Sequence, residues 1–60
     1  MLENALYLAL NTLEESATMA EGMAARFHAG GNNHAVARFE ERAREARRRA
    51  AVIRRVLTET

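Results

Sequence analysis

The chain contains no proline, and its one cluster of strong turn formers is Ala29-Gly30-Gly31-Asn32-Asn33. Glycine reaches positive φ without a Cβ penalty, so Gly30 or Gly31 can close a helix in the left-handed position just past its end. Asn32 or Asn33 can then cap the next helix, its side-chain oxygen accepting from a free backbone N–H. The pattern predicts two helices, over 2–29 and 33–58, with a turn at 30–32. A connection this short lays the helices antiparallel. With 60 residues the chain makes a single helical hairpin, all-α in class.

Hydrophobic spacing supports a hairpin on both sides of the turn. Leu2, Leu6, Ala9, Leu13, Ser16, Ala20, Met23 and Phe27 alternate steps of four and three, with Leu10, Ala17 and Ala24 alongside. After the turn, Val36, Phe39, Ala43, Ala46, Ala50, Ile53 and Leu57 do the same. Both are heptad seams, which pack side by side in the manner of a coiled coil. Alanine lines their middles, where two backbones can approach closely. Leu6, Leu10, Leu13, Phe27, Val36, Phe39, Ile53 and Leu57 are the expected anchors. Gly22 interrupts the first helix at about 1 kcal/mol relative to alanine; it reads as tolerated or as a point of close contact. Met1, Met19 and Met23 read as gap-filling core residues.

Two helices cover each other along one stripe only. Tyr7, Leu8 and Met19 lie off the main seam of the first helix, and Val52 and Val56 off that of the second. Apolar flanks of this kind mark interfaces. The expectation is a homodimer, two hairpins forming an antiparallel four-helix bundle, or docking against a domain of a parent protein.

Charge is segregated by helix. The first carries Glu3, Glu14, Glu15 and Glu21 against Arg26; the second carries eight arginines against Glu40, Glu41 and Glu45 before Glu59. Opposite signs on facing helices favour the hairpin, and Glu40–Arg44, Glu45–Arg48 and Glu45–Arg49 have the spacing that supports a helix locally. Arg47, Arg48, Arg49, Arg54 and Arg55 have few acidic neighbours in sequence and form a possible anion-binding face. RNA or DNA binding through that helix is the alternative function. Against it, no aromatic interleaves those arginines to stack on bases, and the net charge is only +1. A solvated face paired with the acidic helix is the simpler reading.

Several chemistries are excluded outright. Without cysteine there is no disulfide, thiolate metal site or cysteine nucleophile, and without aspartate there is no Ser-His-Asp triad. His28 and His34 flank the turn, but two imidazoles make half a tetrahedral zinc site and no other ligand lies nearby in sequence. They read as surface histidines. Ser16, the one serine, sits in the seam with no base or oxyanion donors in its pattern and reads as a small helix-contact residue. No catalytic, cofactor or metal residue is assigned, and the chain alone is not an enzyme. The charge-free stretch Asn4–Leu13 is far shorter than the about 20 residues of a membrane span. With no signal-peptide pattern before it, the expected location is the cytoplasm.

Ala5-Leu6-Tyr7-Leu8-Ala9-Leu10-Asn11-Thr12-Leu13-Glu14-Glu15 and Ala37-Arg38-Phe39-Glu40-Glu41-Arg42-Ala43-Arg44-Glu45-Ala46 resemble the C-terminal helical hairpin of chemotaxis-type protein-glutamate methylesterase homologues, bacterial signal-transduction proteins. The Gly30-Gly31-Asn32-Asn33 turn departs from the Gly-His type expected there. The resemblance implies a fragment whose α/β catalytic domain, with its Ser-His-Asp triad, lies upstream. No residue here matches that triad. The hairpin would then dimerise the enzyme or dock a partner.

Overall fold

The computed structural model describes residues 1–59, which form α1 (Leu2–Ala29) and α2 (Asn33–Glu59), packed antiparallel along their whole length. The rod measures 45 × 14 × 11 Å. Its long axis is the length of one helix of this size at 1.5 Å per residue.

The turn occupies 30–32, and each of its residues has a separate job. Gly31 takes the left-handed conformation, with φ +78°, while Gly30 stays right-handed at φ −82°. The Gly31 N–H donates to the His28 carbonyl at 3.1 Å and the Asn32 N–H to that of Phe27 at 2.9 Å. These are the two bonds of a Schellman ending. Asn32 then starts α2, its side-chain oxygen accepting from the Ala35 N–H at 3.1 Å. One asparagine thus ends one helix and caps the next, so no further residues are needed between them.

The seam of α2 lies where its spacing puts it. Ala43, Ala46 and Ala50 are buried, and Val36, Phe39, Ile53 and Leu57 are half-buried toward the two ends. In α1 the contact line is rotated from the expected one. Leu10, Ala17, Ala20 and Ala24 are buried, with Leu6, Leu13 and Phe27 half-buried between and beyond them. Ser16 and Leu2, expected in the seam, are exposed, and Ala9 and Met23 sit half-buried at its edge. Ala17, with 0% of its surface exposed, holds the place expected for Ser16. Alanines on both helices draw the backbones together, so only residues aimed straight at the partner are covered. Of the three methionines, Met1 and Met19 are exposed rather than core filling, and only Met23 is partly covered.

Among the described residues the core is therefore Leu10 and six alanines, and no large side chain is fully buried. Gly22 faces open space, with nothing within 4 Å of the position a Cβ would take, so it makes no close contact inside the hairpin. No helix is long and apolar enough to cross a membrane among the described residues.

Candidate interaction surfaces

The hairpin has two flanks that differ in chemistry. On one, carboxylates and guanidinium groups meet across the helix pair. Arg47 grips Glu21 with both arms of its fork, Nη2 to Oε1 at 2.7 Å and Nε to Oε2 at 3.1 Å. Arg54 pairs with Glu14. Glu14 and Glu21 are one heptad apart on α1, as are Arg47 and Arg54 on α2, so two equivalent bridges hold the same register.

Along α2 itself, Glu41 takes Arg44 at 2.9 Å and Arg48 at 3.0 Å, while Glu45 takes Arg48 and, at 3.1 Å, Arg49. The hydrogen bond from Arg47 holds the Glu21 carboxyl below its ordinary value. Arg48 and then Arg44 do the same for Glu41, and Arg48 for Glu45. Arg47 and Arg48 are raised in return, chiefly by the same hydrogen bonds.

Of the five arginines singled out as a possible anion-binding face, Arg47, Arg48, Arg49 and Arg54 thus each hold a carboxylate. Only Arg55 has no ion pair among the described residues. Sequence neighbours suggested free cations because the partners of Arg47 and Arg54 come from α1. A phosphate arriving here competes with bonds already made.

The other flank is apolar and open. Thr12, Glu15, Ser16, Met19, Ala20 and Met23 of α1 face Phe39 and Arg42 of α2 across a groove of about 380 Å³. The Arg42 guanidinium lies 5.1 Å from the centre of the Phe39 ring, so its charge rests on an aromatic face. Met19 also borders two further depressions along α1, one with Glu14, Glu15 and Thr18, the other with Gly22, Met23 and Arg26. Sequence spacing marks Met19 as an off-seam residue but hides the groove beside it, because the heptad line runs through Ser16.

The remaining candidates stay apart. His28 and His34 are exposed on either side of the turn, and no group of three or more His, Cys, Asp or Glu suited to a metal occurs among the described residues. Tyr7, Leu8, Val52 and Val56 are exposed, as their off-seam spacing predicts. No protein-family model, curated protein or solved structure matches the chain.

Proposed function

We propose that the hairpin is a non-catalytic association module that pairs with a second copy of itself. The observation that carries this reading is the mismatch between its core and its surface. A compact protein of 6.7 kDa exposes about 3,900 Å², whereas this rod exposes 4680 Å². Its interior is almost entirely alanine, while Leu8, Met19 and Val52 remain in water. Burying such residues against a second hairpin supplies hydrophobic stabilisation that two thin helices lack.

A chain without cysteine gains nothing from an oxidising compartment, which is in keeping with a cytoplasmic module. Attachment to a methylesterase-type signalling enzyme rests on the resemblance of residues 5–15 and 37–46 alone. Nucleic-acid binding is the less favoured alternative, since four of its five arginines are engaged with carboxylates.

Sedimentation equilibrium over a concentration series tests the reading. A mass of twice 6.7 kDa at high concentration is expected. A helical monomer throughout overturns it. RNA binding that weakens steeply with salt and is lost in Arg47→Ala would move the function to α2.

A further inference from the structure

Building on the dimer reading, we infer that two copies meet through the outer face of α1, antiparallel, about a two-fold axis level with the midpoint between Met19 and Gly22. Glu15, Met19, Gly22 and Arg26 follow one another at steps of four, three and four, so they share one face of the helix. All four are exposed, Met19 at 72%. Beside Met19 lies the notch left by Gly22, where a Cβ would meet nothing. At the ends of this short stripe stand an acid and a base, and among the described residues neither Glu15 nor Arg26 takes part in an ion pair. The neighbouring carboxylates of α1, Glu14 and Glu21, are already satisfied within the hairpin.

The stripe is complementary to itself in only one sense. The midpoint of Glu15 and Arg26 coincides with that of Met19 and Gly22. Turning a second copy about an axis there sets Met19 against the Gly22 notch and Glu15 against Arg26, each contact made twice, as an isologous interface requires. A bulky flexible side chain entering a glycine gap is the knob-and-hole fit of a helix pair. A parallel pairing sets Glu15 against Glu15 and Arg26 against Arg26. An antiparallel pairing with its axis seven residues nearer the start of α1, a slide of fourteen residues between the copies, sets Leu8 against Met19 but Glu15 against Thr12, and brings the two Glu15 carboxylates near each other beside the axis. Charge therefore selects both the direction and the register.

Sedimentation equilibrium on the full chain, with helicity followed by circular dichroism, tests the interface. Glu15→Arg turns two attractions into two repulsions and raises the dimer dissociation constant about tenfold. Arg26→Glu does the same, and the double variant Glu15→Arg/Arg26→Glu returns to within about threefold of the native value. Gly22→Leu raises helicity yet weakens the dimer, a combination that a purely structural role for Gly22 does not produce. Val52→Thr, on α2, leaves the dimer unchanged.

If the native chain dimerises and Glu15→Arg, Met19→Glu and Gly22→Leu leave it dimeric, this face is wrong while the dimer stands. If Val52→Glu dissolves the dimer and Met19→Glu does not, the contact belongs to α2. A native chain that stays monomeric overturns both.

Discussion

The ring of Phe27, near the end of α1, stacks on that of Phe39, near the start of α2, with centroids 5.5 Å apart and planes 11° from parallel. The pair closes the hairpin just above its turn, and Arg42 lies over Phe39. Both rings are only half-buried. Phe39→Ala should therefore cost about 2–3 kcal/mol, below the about 3–5 kcal/mol of a fully buried phenylalanine. Urea unfolding of the single and double alanine variants should give a Phe27–Phe39 coupling of about 0.5–1.5 kcal/mol. A coupling near zero would mean that the rings act only as separate apolar surfaces.

The two turn glycines should respond in opposite directions. Gly31→Ala forces a Cβ into the left-handed region and should destabilise by about 1–2 kcal/mol. Gly30 is right-handed, and a Cβ there would meet nothing closer than 3.7 Å. Gly30→Ala should therefore be neutral or stabilising, by up to about 1 kcal/mol, through a less flexible unfolded chain. Thermal unfolding of the pair decides it, and equal losses would show that the Schellman ending is not what sets the turn.

Ala17 is the most deeply covered side chain in the hairpin. Ala17→Leu should separate the helices locally and cost about 1–3 kcal/mol, with helicity retained. The same change at Ser16, on the open flank, has no such wall to meet. Melting curves that shift equally for Ala17→Leu and Ser16→Leu would place the contact line back through Ser16.

Acid should loosen the rod. Glu21, Glu41 and Glu45 titrate below their ordinary 4.5 in the folded chain because arginines hydrogen-bond their charged forms. A depressed carboxyl contributes stability that is fully present above the unfolded value. That stability fades as pH falls through 4.5 toward the folded values. Melting temperature should hence be level above about pH 5.5 and decline below it. High salt should flatten the decline, because these pairs are exposed. Arg47→Gln should remove the Glu21 share, and an unchanged acid profile in that variant would show that the bridge contributes nothing.

Much of this architecture is legible in the residues themselves. Gly31 and Asn32 carry the turn chemistry, and α2 has one apolar stripe among many charges, so its spacing admits only one inward face. In α1 that uniqueness is missing. Alanine, leucine and methionine occur around much of the helix, and a line through Ser16 and one through Ala17 satisfy the same heptad rule. Local spacing likewise finds Glu45–Arg49 but not Glu21–Arg47, whose partners are 26 residues apart in the chain.

The two helices, their ends and their antiparallel course follow from the residues alone, because they depend on backbone preferences and on a turn too short for any other path. How far α1 is rotated about its own axis depends instead on the packing of the two helices. That rotation is set by how closely Ala17, Ala20 and Ala24 let α1 approach Ala43, Ala46 and Ala50. It is also what sends Glu14 and Glu21 to the arginines of α2 and leaves Glu15, Met19 and Arg26 facing water.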